Sequence, residues 1–577
     1  MNRLLLIIGS ILVSQTLGLA QVPANSPALA SNSLTEKVDA LFAQWNKADS
    51  PGCALAVIQN GIVVYKRGYG MANLELGVPI NSASVFQVGS ISKQFTAFSI
   101  LLLAQQGKLS LDDDIRKYIP EVPDFGVPIT LRHLLQHTSG LRDQYEMLEM
   151  AGWRNEDVNT EKDVLDMVSR QRTLNHKPGE EWLYTNTGYT LLAIIVKRVS
   201  GESFRAFTEK NIFRPLGMTN TQFNDDHHRI TKSLAQGYAS KDGGFIKWMA
   251  NDDHVGADNL LTTVEDLARW DQNFYDKKIG GPALIDQMLT IGSLNNGDKV
   301  TYAYGLFLEP YRGLPVVRHS GARLGYRSDF LRFPEQKFSV VCFCNVRSAI
   351  AEVFVNRIAD IYLDDKLKPV TQGSLITTDP NIAKLADQDL ARVAGYYWNP
   401  TADNIRRLYL KDGKLMFFRA AGNESELAPL GSSRFLMLGV RNRIEITFDA
   451  KRAGDRPTQM SLTVDNGKPT IYPAITPVSY GAAQLAEFAG EYYSPELDVR
   501  YQTAIEDGRL VLHAGKWGDF KLSPRLLIHF RILRNWEACC SYAIAKSAWW
   551  VSSSGPARFA ICVSTRSNKP FSTRPSR

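Results

Sequence analysis

The stretch 85–108, VFQVGSISKQFTAFSILLLAQQGK, decides how this chain of 577 residues is read. Apolar residues at Ile91, Phe95, Phe98 and Leu102 recur at helical spacing, which predicts a buried helix beginning just after Gly89. Ser90 then stands in its first turn. Lys93 projects from the same side one turn on, close enough to share a proton with the serine hydroxyl. An unassisted hydroxyl is a poor nucleophile at neutral pH, whereas a helix N-terminus offers partial positive charge and free backbone N–H groups where an anion develops. An N-capping serine followed by a solvated lysine would show the same four letters, so the reading depends on partners elsewhere.

Upstream, Met1-Asn2-Arg3 precedes an apolar run from Leu4 to about Leu17 and the small residues Gly18-Leu19-Ala20. This predicts a signal peptide over 1–20 and an exported, periplasmic or secreted protein. Ser10, Ser14, Gln15 and Thr16 interrupt the run, which argues against a membrane anchor. Leu34 to Trp45 reads as an amphipathic helix, and CALAVIQ-NG-IVVYKRGYG places two apolar runs across Asn60-Gly61, a strong hairpin signal. The length suggests about two to four domains.

Downstream of the central helix a largely helical stretch extends to about Leu216, with loops at LSLDDDIRKYIP and HTSGL. Asp112, Asp113 and Asp114 point in different directions and lack further ligands at metal spacing. His133 and His137 lack the intervening glutamate of a zinc helix, so they read as packing or hydrogen-bonding residues. Neither metal nor cofactor is expected. Asn186 or Thr187 would start a helix through Val199, and 259–275, NLLTTVEDLARWDQNFY, reads as another capped helix. From Ala303 strand-like runs return (YGLFLEP, GLPVVRHSG, YRSDFLRFP, FSVVCFCN), and IAEVFVNRIADIYL closes the domain with a helix. Strand, helices, strands is an α+β arrangement over 33–367.

The turn-rich segment 368–386 reads as a linker, followed by an internal repeat. LARVAGYYWNP at Leu390 returns as LAEFAGEYYSP at Leu485, and LKDGKLMFF at Leu410 as IEDGRLVLH at Ile505, both 95 residues on. Two strand-rich modules are expected, 387–480 and 481–577, each a small antiparallel, lipocalin-like β-barrel. The second copy decays after about 523. Its tail from Arg525 holds nine Lys/Arg against the single acid Glu537, a net of +8 in a chain of net +7, so the preceding 524 residues sum to −1. A near-neutral body gives no argument for nucleic acid or anionic lipid. The aberrant tail suggests a frameshifted or degenerate terminus. Six cysteines are too few for a disulfide scaffold, and Cys342 and Cys344 look like structural residues on one strand face.

Two further motifs bear on Ser90. Tyr184-x-Asn186 could place a phenol near Lys93 to relay the serine proton, and an amide that holds the lysine and a substrate N–H. His319-Ser320-Gly321 closes an apolar strand, where a glycine lets substrate backbone approach. The order Ser-x-x-Lys, Tyr-x-Asn, His-x-Gly resembles the serine β-lactamase and penicillin-binding-protein superfamily, particularly class C β-lactamases and their esterase and D-aminopeptidase relatives. LRHLLQHTSGL, FRPLGMTNT and TTVEDLARW extend that resemblance over about 34–363.

The resemblance implies a β-lactamase/transpeptidase-like domain, an antiparallel sheet flanked by helices with a helical subdomain. It also implies Ser90 as acylated nucleophile, Lys93 as its proton partner, Tyr184 as general base or relay, and Asn186, His319, Ser320 and Gly321 as substrate-binding residues. The backbone N–H groups of Ser90 and Ala322 would form the oxyanion hole. Where many β-lactamases carry a lysine, His319 is a weaker clamp for a carboxylate. The expected activity is therefore hydrolysis of small amides, D-amino-acid peptides or esters, with β-lactams or peptidoglycan stems as the alternative substrates. A non-catalytic peptidoglycan-binding protein is the alternative of another class. The expected partner is a small-molecule, peptide or peptidoglycan-derived substrate, with no nucleic acid; oligomeric state is open.

Overall fold

The computed structural model describes residues 32–369, 376–399, 404–420, 423–440, 442–449, 455–465, 467–476, 480–513, 519–524 and 549–551. The segment read as a signal peptide, and most of the basic tail, lie outside the described residues.

The N-terminal body is built on one antiparallel sheet. Strands β1 (Cys53–Gln59) and β2 (Ile62–Tyr69) form the hairpin, turning at Asn60 (φ 51°) and Gly61 (φ 77°), the left-handed pair that a tight two-residue turn requires. Strands β3 (Phe307–Tyr311), β4 (Leu314–Arg323), β5 (Tyr326–Phe333) and β6 (Phe338–Cys344) complete it in the order β3-β4-β5-β6-β1-β2. Chain-distant strands thus meet at β1 and β6. Both are buried, but for Gln59 at the end of β1, because the sheet is covered on two sides. Ala54, Ala56 and Ile58 of β1 face the helical body, while Cys53, Leu55 and Val57 face helices α1 (Asn32–Leu41) and α5 (Ala351–Tyr362).

On that second face Cys53 stands opposite Cys344 and is bonded to it. The sequence reading assigned no pairing, since register between strands 291 residues apart has no local signal. Cys342 remains a free, buried thiol.

Helix α2 (Ser92–Gln105) runs through the main core, preceded by a single tight turn, Gly89–Ile91. Helix α3 (Asn186–Ser200) packs against it, ending at the left-handed Gly201. Two expectations need correcting. The apolar start of 259–275 is a strand, Leu260–Thr262, pairing with Phe86–Gln87 and Gln222–Phe223; helix α4 (Val264–Asp276) begins only after its N-cap Thr263. And β4 does not close at His319 but runs on to Arg323, because His319 to Arg323 remain paired with β5.

Beyond the linker, eight strands from Gly395–Asn399 to Thr470–Ile475 form a closed antiparallel barrel, sealed by pairing the first with the last. The second copy contributes a five-stranded sheet, Gly490–Ser494 through Trp549–Val551. Among the described residues no helix is long and apolar enough to cross a membrane.

Candidate active site

Residues 85–92 are held from two sides. Val88 N–H donates to Leu260 O (3.0 Å), and Ser92 Oγ accepts from Leu260 N–H (3.1 Å) while donating to Gly89 O (2.6 Å). Gly89 adopts φ 52°, and a Cβ there would stand 2.7 Å from Ala322 N. Gly321 is equally tight, since its Cβ would meet Val88 O at 2.0 Å. The two glycines let β4 lie directly against the turn that carries Ser90. The pairing of β3 with β4 ends at Arg318, so β4 from His319 onward has a free edge, with Ser320 and Ala322 exposed.

Lys93 is wholly buried, and its Nζ lies 2.9 Å from Ser90 Oγ, 2.9 Å from Asn186 Oδ1 and 2.8 Å from Ala257 O. Burial pushes its pKa down to about 7, against the opposing charges of Asp258 and Asp143. As an ammonium it donates all three bonds. As a neutral amine it keeps two donors and a lone pair, which Ser90 can reach. Tyr184 hydrogen-bonds Ser90, and burial holds its pKa above the ordinary value, so the group stays a phenol. Its ring lies 4.9 Å from Lys93 Nζ. Ser90, Lys93, Tyr184 and Asn186 thus converge in one cluster.

His319 behaves otherwise. It is 2% exposed; Nδ1 donates to Ser320 O (2.6 Å) and Nε2 accepts from Tyr302 Oη (3.0 Å). Burial, aided by the charge of Lys93, pushes its pKa down to about 3, so it is neutral. The side chain expected to bind substrate is committed on both nitrogens. It belongs to an aromatic wall with Tyr184, Tyr302 and Phe307, at whose edge Trp182 and Leu183 are exposed.

Several groups escaped the sequence reading. Asp143 Oδ2 accepts from Asn186 N–H (2.5 Å) and Nδ2 (2.9 Å), fixing the amide so that its oxygen faces Lys93. Ala257 supplies a carbonyl to Lys93 across 164 residues of sequence. Asp258 accepts from Tyr145 and lies 3.6 Å from Arg323, which is bonded to Asp252. His137 packs its ring 4.2 Å from Tyr184 and accepts from Thr185 N–H (3.2 Å), the packing and hydrogen-bonding role expected of it. A carboxylate just after HTSGL would have been the findable signal for Asp143; backbone acceptors leave none.

Comparison with known proteins accords with this arrangement. The beta-lactamase family model matches residues 38–363. The chain is 31% identical over 315 residues to penicillin-binding protein 4* of Bacillus subtilis, covering 51% of this chain and 68% of that protein. It is 29% identical over 300 residues to a D-aminopeptidase of Gluconobacter oxydans, covering 52% of this chain and 56% of the relative. In fold, the octameric penicillin-binding protein homologue from Pyrococcus abyssi superposes with a TM-score of 0.54 at 24% identity, covering 76% of this chain and 99% of that one. The chain belongs to the beta-lactamase family, as a hydrolase similar to penicillin-binding proteins and to D-aminopeptidases.

Proposed function

We propose that the chain is an exported serine hydrolase that works through an acyl-enzyme on Ser90, and that its substrates are small amides, D-amino-acid peptides or esters. The observation that carries this is the 2.9 Å contact between Ser90 Oγ and a Lys93 whose pKa lies at about 7. Neutral Lys93 takes the hydroxyl proton as Ser90 Oγ attacks the substrate carbonyl. The N–H groups of Ser90 and Ala322 hold the tetrahedral oxyanion. Tyr184, as a phenol, passes a proton on to the leaving amine or alcohol and regains one from Lys93. Water then enters by the reverse path and releases the acid.

The substrate class is argued from His319. A neutral imidazole with both nitrogens engaged gives a substrate carboxylate no charge, which favours acyl donors that lack one near the scissile bond. The likeness to a D-aminopeptidase supports the same reading. The likeness to penicillin-binding protein 4* keeps β-lactams and peptidoglycan stems as the second reading.

Intact-mass spectrometry after exposure to an aryl ester, a D-alanyl amide and a β-lactam tests this. The ester and amide should be turned over through a transient adduct on Ser90 that Ser90→Ala abolishes. A stable adduct with the β-lactam alone would favour the second reading. Undiminished hydrolysis by Ser90→Ala would overturn the mechanism.

A further inference from the structure

Away from the catalytic cluster, the loop after Gln222–Phe223 reads Asn224-Asp-Asp-His-His-Arg229 and folds against the loop that carries Asp252, Asp253 and Ala257. Asp226, His227 and His228 bring donor atoms within 4.8 Å of one another. The two imidazoles are neighbours in a turn closed by Arg229 N–H on Asp226 O (3.0 Å), with ring centroids 3.8 Å apart and planes tilted by 41°, and His228 is free to swing toward a shared ion. His228 Nδ1 lies 3.4 Å from Asp226 Oδ1, which is about the edge of a tetrahedron whose bonds are those of zinc to nitrogen and oxygen, roughly 2.1 Å. The other oxygen of Asp226 is 4.0 Å from Arg229, which is bonded to Asp225 at 3.2 Å.

His227 carries the second observation. Its Nδ1 lies 3.0 Å from both oxygens of Asp253, and its backbone N–H donates to the same carboxylate at 2.6 Å. Asp253 therefore fixes the tautomer with the proton on Nδ1 and the lone pair on Nε2, aimed away from the carboxylate. That is the carboxylate–histidine support a metal-bound imidazole receives from its surroundings.

We propose that Asp226, His227 and His228 form a binding site for a divalent ion of the zinc class, oriented by Asp253 and left with one coordination position open to water. Two imidazoles and one carboxylate are the donor set such an ion prefers over magnesium or calcium. Asp253 ties His227 to the loop whose Ala257 carbonyl accepts from Lys93 and whose Asp252 and Asp258 flank Arg323, and the ion would fix 226–228 on that anchor. Its role is to brace that loop. The site stands on its own ligands and does not depend on the substrate reading.

The test is titration of the chelator-treated, full-length protein with Co2+, followed by visible absorption and calorimetry. One ion should bind with the strong visible bands of four-coordinate Co2+, be displaced by Zn2+, and raise the melting temperature. His228→Ala, at a side chain 79% exposed, should melt like the wild type without metal and bind at least tenfold more weakly. Asp253→Asn should weaken binding by about tenfold or more. Absence of binding to the wild type, or unchanged binding by His228→Ala, overturns the proposal. So does a thiolate-to-cobalt charge-transfer band, which would place the ion at a cysteine instead.

Discussion

At Lys93 the argument comes down to one proton. Its ordinary pKa of 10.5 is lowered to about 7 in the folded chain, so the acylation rate should climb with pH through about 7 and level off above it, read from single-turnover kinetics on an aryl ester. The acids around it oppose the shift, and removing one lowers the value further. Asp258→Asn should therefore move the rising limb to lower pH. A limb that stays put or rises would remove Lys93 as the titrating group. The linkage has a definite sign as well. Between about 7 and 10.5 the unfolded chain binds a proton here that the folded chain does not, so this residue's contribution to stability grows with pH across that window and is flat below it. Of this site, Ser90 and Lys93 were legible because one helix turn joins them, and Tyr184 with Asn186 because they flank a helix start. Asp143, Ala257 and the true state of His319 were not. Each depends on contacts between segments that only the finished fold brings together.

Among the elements, β4 and the turn at Ser90 act as one unit. A methyl group on Gly321 would meet Val88 O at 2.0 Å and Ser328 Oγ at 2.4 Å, and the backbone carbonyl of Val88 cannot yield without moving the nucleophile turn. Gly321→Ala should cost on the order of 1–3 kcal/mol of stability and lower kcat at least tenfold with a smaller change in KM, since Ala322 N–H shifts with its strand. The sheet has a second dependence, the Cys53–Cys344 bond, which closes a loop of 291 residues. Cys344→Ser should lower stability by roughly 2–4 kcal/mol in denaturant titrations, and reduced wild type should fall to a similar midpoint. The strands were readable as apolar runs between turn residues. The segment 260–262 was misread because a three-residue apolar strand running into a capped helix carries no periodicity of its own, and the helix pattern beyond Thr263 absorbs it.

For the whole molecule the repeat at an offset of 95 residues announced two barrel-like modules, and the first closes by pairing Tyr396 with Ile475; it did not announce the place where the second module touches the hydrolase body. That contact is specific. The hairpin turn after Gly490–Ser494 inserts Glu496 between Arg142 and Arg172: its carboxylate pairs with the Arg142 guanidinium and accepts from Arg172 N–H (2.7 Å), and its carbonyl accepts from Arg170 Nε (3.1 Å). Leu497 packs with Met147, Leu148 and Met167. Both charged side chains are mostly buried, 9% and 16% exposed, so removing one leaves the other without its partner in a poorly solvated place. Arg142 directly precedes Asp143, the acceptor that fixes Asn186 against Lys93. Glu496→Ala should cost on the order of 2–3 kcal/mol and slow turnover by about tenfold, because the released Arg142 loosens the Asp143–Asn186 pair. Arg142→Ala combined with it should add little to either effect, since both remove the same interaction. Additive losses in that double-mutant cycle, or wild-type turnover in Glu496→Ala, would show that the module merely rests on the hydrolase body without bearing on its site.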